Sequence, residues 1–199
     1  MFRGLAIRHN QERQRSIYKN LYAKHRLSHR SLHWSDPANQ WERFRILSGI
    51  GELKGRKILD VGCGLGDFFS YLEGEKIHGQ FIGFDIVEEF LAEARKTHPR
   101  HRFEERNILH RPLTEKFDYV FSSGIYAFGN RTFFQEMTKE AFRLARYGYA
   151  FNLYHSRNDD RFFRISEGEA EAFCKTLSPR RIVVRKNYLD DDTTFYIYK

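Results

Sequence analysis

The residues best placed to do chemistry lie in one stretch, Asp60-Val61-Gly62-Cys63-Gly64-Leu65-Gly66-Asp67. A glycine-rich turn after an apolar run lets a ligand approach backbone that Cβ atoms would otherwise shield, so a nucleotide-type site is the first expectation. Spacing narrows it. A dinucleotide fingerprint GxGxxG starting at Gly62 needs glycine at position 67, where the chain has Asp67, and the absence of GK[ST] argues against a P-loop. The glycines run GxGxG, with Asp60 two residues ahead of the first. A carboxylate beside such a turn repels a pyrophosphate held at a helix N-terminus and suits a ligand that carries cationic groups.

Strands alternating with helices must position that turn. Lys57-Ile58-Leu59-Asp60-Val61 is a short apolar run ending in glycines, as a buried parallel strand does. A helix follows from Asp67 to Leu72, then a second strand Phe81-Ile82-Gly83-Phe84-Asp85, and a helix through Val87, Phe90, Leu91 and Ala94 that closes at Thr97-His98-Pro99. Arg102 to Glu105 and Phe117 to Ser122 read as the third and fourth strands. A helix marked by Phe134, Met137, Ala141 and Leu144 leads to a fifth strand, Tyr149 to Tyr154, and another helix spans Glu167 to Thr176. Arg181 to Arg185 and Thr194 to Tyr198 are then joined by the acidic turn Asp190-Asp191-Asp192 as a terminal hairpin. The pattern predicts an α/β fold: a doubly wound, mostly parallel sheet that binds ligands at the C-terminal ends of its strands.

The N-terminal quarter is different. Asn10 to Arg30 is a basic helix with a narrow stripe of Ile17, Tyr18, Leu21 and Tyr22. Ser35-Asp36-Pro37 starts a second helix that is expected to bury Trp41, Phe44 and Leu47 and to stop near Gly49. The division is therefore a helical extension or lid over residues 1–56 and a nucleotide-type domain over 57–199.

At this point the run Ile58-Leu59-Asp60-Val61-Gly62-Cys63-Gly64-Leu65-Gly66 resembles motif I of the class I, Rossmann-like, S-adenosylmethionine-dependent methyltransferases. The resemblance implies a seven-stranded sheet with a C-terminal antiparallel hairpin, and S-adenosylmethionine as cofactor. It implies that Asp60, Gly62, Cys63, Gly64 and Gly66 belong to the cofactor turn, and that Asp85 accepts hydrogen bonds from both ribose hydroxyls. Such bonds to a charged group contribute about 1.5–3 kcal/mol each. Asn107 would meet the adenine amino group through its carbonyl oxygen, with Ile86 and Ile108 sandwiching the ring. Backbone at Ser122 and Ser123 would hold the methionine amino group, and Arg43 would pair with the methionine carboxylate.

Methyl transfer from a sulfonium is an in-line displacement, so positioning and desolvation carry much of it, and a base is needed only for a protonated nucleophile. The family's acceptor pocket is built after the fourth and fifth strands and from the N-terminal extension, here Tyr126 and Phe128, then Tyr154, His155 and Arg157, then 25–45 with Trp34 and Trp41. His155 is the candidate base, its ordinary pKa near 6.5, and Tyr126 a candidate to orient the acceptor; a surface histidine and an aromatic wall are their structural alternatives. Ser122-Ser123-Gly124-Ile125 lacks the Asn/Asp-Pro-Pro-aromatic signature of amine-methylating nucleic-acid enzymes.

Charge sharpens the choice of acceptor. Residues 1–56 carry 12 Lys and Arg against 4 Asp and Glu, a net +8, while 57–199 carry 22 of each. A basic arm favours an anionic small-molecule acceptor, or tracks the phosphates of an RNA. The expectation is a methyltransferase acting on a small, anionic molecule; the alternatives are an RNA or protein methyltransferase, or a non-catalytic cofactor-binding partner protein. The two cysteines, Cys63 and Cys174, have no zinc-ligand spacing, so no metal is expected. No uncharged apolar run approaches the roughly 20 residues that span a bilayer, and no signal-peptide core is present, which points to a cytoplasmic protein without membrane partners.

Overall fold

The computed structural model describes residues 2–25, 36–110, 113–154 and 162–199. Two helices come first, α1 (Phe2–His25) and α2 (Pro37–Ser48). Then β1 (Lys57–Val61), α3 (Asp67–Gly74), β2 (Gln80–Asp85), α4 (Glu88–Thr97) and β3 (Arg102–Glu105) alternate. They are followed by β4 (Phe117–Ser122), α5 (Arg131–Leu144), β5 (Ala145–Tyr154), α6 (Glu167–Thr176), β6 (Arg181–Arg185) and β7 (Asp192–Tyr198). Among the described residues no helix is long and apolar enough to cross a membrane.

The seven strands lie in the order β3-β2-β1-β4-β5-β7-β6. Strands β1 to β5 pair in parallel, and β7 pairs antiparallel with both β5 and β6. The expected hairpin is present, and its later strand is the inner one. Side chains alternate across the sheet as strand geometry requires. Leu59, Val61, Ile82 and Phe84 join α5 and α6 on one face, whereas Ile58 and Phe81 join α2, α3 and α4 on the other. Both faces of the central strands are thus dry, which explains their nearly continuous apolar runs.

Local chemistry sets the helix starts. Asp36 caps α2 by accepting from Ala38 N–H at 2.8 Å, with Pro37 in the first turn. Asn130 caps α5, whose Phe134, Met137, Ala141 and Leu144 form the buried stripe. Ser166 and Glu169 form a capping box on α6. In α2, Phe44 and Leu47 are buried as expected, but Trp41 is 44% exposed. It packs on the outer edges of Phe44 and Tyr71, so the helix turns a narrower stripe to the sheet than its aromatic spacing suggests. Tyr198 Oη donates to Ile50 O at 2.8 Å and Tyr196 Oη to Ile46 O, which anchors the end of α2 on β7. Strand order reverses between β1 and β4, and the crevice outside their carboxyl ends is where such sheets hold ligands.

Candidate functional site

Glycine shapes the turn from β1 into α3. Gly62 and Gly66 have φ of +78° and +84°, a region that strains any residue with a Cβ. A Cβ at Gly62 would also run into Ile125, and one at Gly66 would lie 3.0 Å from His98 Cδ2. The turn closes on the end of β2: Gly64 N–H donates to Asp85 Oδ2 and Val87 N–H to Asp85 Oδ1, each at 2.9 Å. Each oxygen keeps a lone pair for a further donor. Burial raises the Asp85 carboxyl to about 6, while its backbone donors and Arg15 pull the other way.

Asp60 lies deeper, 4% exposed. Burial first, then the charges of Asp85 and Asp67, push its carboxyl up to about 8. It accepts no hydrogen bond from the described residues. A buried acid without donors is costly, and a ligand cation would lower that cost. Nearby, Ser123 Oγ is buried with no partner among the described residues.

A cavity of about 100 Å³ lies against these groups, between the strand ends and Gln11, Gln14 and Tyr18 of α1. Gln11 and Asn107 exchange two hydrogen bonds: Gln11 Nε2 donates to Asn107 Oδ1 at 3.0 Å, and Asn107 Nδ2 donates to Gln11 Oε1 at 2.5 Å. Tyr18 meets Phe90 and Phe128 edge-on at 6.4 and 5.7 Å. Lys19 pairs with Glu89 at 2.8 Å, and Arg15 pairs with Glu105. Ligand pockets run to about 300–1,000 Å³, and with α1 against it this one is narrow.

Tyr18 and Gly124 also line a second cavity of about 530 Å³, with Arg43, Asn152, Tyr154, Phe162, Tyr188 and the loop Asp190-Asp191-Asp192. Its polar groups hold one another. Arg43 Nε donates to Asp192 Oδ2 at 2.6 Å, Asn152 Nδ2 to Asp192 Oδ1 at 3.4 Å, and Gly124 N–H to Asn152 Oδ1 at 3.1 Å. The Arg43 guanidinium sits 5.7 Å from the Tyr154 ring centre.

Of the residues expected from sequence, Gly62, Gly64, Asp85, Ile86, Asn107, Ile108 and Ser123 come together around the smaller cavity. Asp60 and Ser122 are buried beside them at the ends of β1 and β4, and Gly66 caps α3. Three others keep their functional atoms within the protein. Cys63 turns its thiol into the core beneath the turn, where burial pushes it well up, and only its backbone faces the loop. Tyr126 lines the larger cavity, as the aromatic-wall alternative has it, and spends its hydroxyl on Thr138 and Tyr149, each at 2.8 Å. Arg43 is held by Asp192, which was not foreseen, instead of standing ready for a ligand carboxylate. His155, Arg157 and Trp34 lie outside the described residues. The sequence reading also missed Gln11, Gln14 and Tyr18. Their signal was there: uncharged side chains spaced by three and four on an otherwise basic helix.

Residues 58–148 match the family described as a methyltransferase domain. The chain is 31% identical over 81 residues to a trans-aconitate 2-methyltransferase of Afipia carboxidovorans, covering 41% of this chain and 32% of that protein. It is 32% identical over 93 residues to a tRNA U34 carboxymethyltransferase of Klebsiella pneumoniae, covering 44% and 28%. The match thus spans about a third of these curated relatives. Among solved structures, magnesium protoporphyrin IX methyltransferase from Synechocystis, with bound SAH, superposes with a TM-score of 0.67 over 98% of this chain and 99% of that one, at 13% identity. At that identity the likeness is one of fold. The methyltransferase-domain match falls on the strands and turn that gather Asp60, Asp85 and Asn107, and the chain shares the fold of S-adenosylmethionine-dependent methyltransferases.

Proposed function

We propose that the chain transfers a methyl group from S-adenosylmethionine to a small molecule held in the cavity of about 530 Å³. One observation carries the reading: buried Asp60, which has no donor among the described residues, and Asp85, held by backbone donors, flank a left-handed glycine turn, and Tyr18 and Gly124 join that site to the larger cavity. The cofactor supplies an electrophilic methyl group on a sulfonium. Asp85 offers two acceptors for the ribose hydroxyls, and Asp60 ionises against the ammonium. Asn107 exchanges its Gln11 partner for the adenine edge as α1 lifts, and Ser123 Oγ gains a partner. The aromatic walls Tyr154, Phe162 and Tyr188 exclude water from the reacting atoms, where orientation supplies most of the rate. His155, directly after β5, is proposed as the base when the nucleophile carries a proton.

Two observations favour a small acceptor over RNA. Arg15 and Lys19 of the basic arm are already paired with Glu105 and Glu89, and the larger cavity is lined by Asp190, Asp191 and Asp192, which repel a phosphate backbone. An anionic acceptor finds little support in the lining. Its described residues include Asp190, Asp191 and Asp192, and its Arg43 is paired, so a neutral or cationic acceptor fits better. The test is transfer from tritium-methyl S-adenosylmethionine to panels of amines, neutral alcohols, carboxylic acids and bulk RNA. Transfer to an amine or neutral molecule supports the reading. Transfer confined to RNA, with a steep loss in salt, overturns it. SAH binding without transfer to any class would leave a cofactor-binding partner protein.

A further inference from the structure

Three side chains that neither cavity uses converge between α3 and β3. Glu73 lies on the last turn of α3, His98 caps the end of α4, and His101 immediately precedes β3. Glu73 Oε2 is 3.1 Å from His98 Nδ1, Glu73 Oε1 is 3.0 Å from His101 Nε2, and the three groups' ligand atoms all lie within 4.8 Å of one another. A tetrahedral ion with bonds of about 2.0–2.1 Å to nitrogen and oxygen sets its ligand atoms about 3.3 Å apart. The two carboxylate–imidazole distances are already close to that, and the two imidazoles' ligand atoms lie within 4.8 Å of each other.

The surroundings match what metal-binding imidazoles require. His98 Nε2 lies 3.0 Å from Ser70 Oγ, which can accept its proton when an ion takes the Nδ1 lone pair. Phe69, Phe81 and Phe103 wall the two rings, with centroids 4.9–6.4 Å away. The His98 side chain is 4% exposed and that of His101 10%, whereas Glu73 is 41% exposed and leaves an entry path. We propose that Glu73, His98 and His101 bind one divalent ion of the zinc type, with solvent as the fourth ligand. Two imidazoles and one carboxylate form a borderline donor set that suits zinc over calcium or magnesium. The ion would tie α3 to the α4–β3 connection. Because the His98 ring abuts Gly66, it would also brace the glycine turn.

The competing arrangement is two imidazoles donating to one carboxylate with no ion. Titrating the untagged, metal-stripped full chain with Zn²⁺ and Co²⁺ separates them, with Glu73→Gln and His101→Asn as variants. Glu73 is at the rim and His101 largely buried, and circular dichroism with SAH binding reports that each variant folds. The proposal expects about one equivalent bound at micromolar Kd or tighter and visible Co²⁺ bands of a tetrahedral site. Zn²⁺ should raise Tm by about 5 °C or more, and either variant should weaken binding about tenfold or more. Wild type that binds no more tightly than the variants, or that shows no tetrahedral Co²⁺ spectrum, overturns it and leaves a hydrogen-bonded clamp.

Discussion

The cofactor side and the acceptor side of this crevice are adjacent, yet their polar groups are in opposite condition. At the β1–α3 turn, among the described residues, buried Asp60 has no donor and Ser123 Oγ no partner, and Asp85 keeps acceptor capacity beyond its backbone donors. Across Gly124, Arg43, Asp192 and Asn152 are bound to one another. One side is completed only by a ligand. The other is a self-contained frame, so its selectivity rests on cavity shape and aromatic walls. Pre-organised polar groups waiting for charge identify a cofactor well, while a satisfied frame says little about which molecule it admits.

The contrast can be broken most forcefully at the frame. Arg43→Ala takes the Arg43 counter-charge from Asp192, whose side chain is 1% exposed, and is expected to cost about 3–5 kcal/mol of stability in chemical denaturation while SAH affinity stays near wild type. A large loss of SAH affinity at unchanged stability would mean that Arg43 serves the cofactor after all. Next in size, Asp85→Ala should weaken SAH binding about a hundredfold or more in calorimetric titration, roughly 2.7 kcal/mol for two bonds to a charged group. An affinity within a few-fold of wild type would move the ribose elsewhere.

Protonation sharpens the comparison on a smaller scale. With no ligand, Asp60 and Asp85 hold protons up to about 8 and about 6, and the bound cofactor needs both ionised. Cofactor affinity is therefore expected to rise with pH from about 5 to about 8, by up to about tenfold per unit where one proton is released. Raised carboxyls also make the free protein more stable as pH falls through those values, the opposite sign. Titrations near pH 7 in buffers of different ionisation heat should show proton release, and Asp60→Asn should remove the upper part of the rise. A flat profile would show that Asp60 is already ionised. The smallest effect is expected for Gln11→Ala, which frees Asn107 from two neutral hydrogen bonds and should tighten SAH binding a few-fold. Weaker binding instead would make α1 a clasp on the bound cofactor rather than a competitor for its place.

The same division explains what could be read before the structure was known. The turn, Asp85 and Asn107 sit in short contiguous segments whose backbone conformation dictates residue type, so glycine at 62 and 66 and an acid at a strand end announce themselves. Strand and helix positions were equally legible, because parallel strands buried on both faces leave runs such as Phe117 to Ser122. The acceptor frame joins Arg43 to Asp192, which lie 149 residues apart, and no local pattern encodes such a pair. Tyr126 lines the larger cavity while its hydroxyl turns to Thr138 and Tyr149, a split that residue type after a strand end does not reveal. Glu73 and His98 are separated by 25 residues, which hid their meeting as well.

Strand order has a consequence during synthesis. β7 lies between β5 and β6 although it is made after both, so β6 has no sheet partner when it emerges from the ribosome. Until β7 is complete, β5 is an open edge that presents Phe151 and Tyr149, both fully buried in the finished fold. An unpaired apolar edge is a template for wrong partners, so the nascent chain is most exposed to aggregation while the segment between β5 and β7 is being translated. Insertion of β7 removes that hazard and brings Asp192 to Arg43 in the same event, so the acceptor cavity forms only once the sheet is sealed.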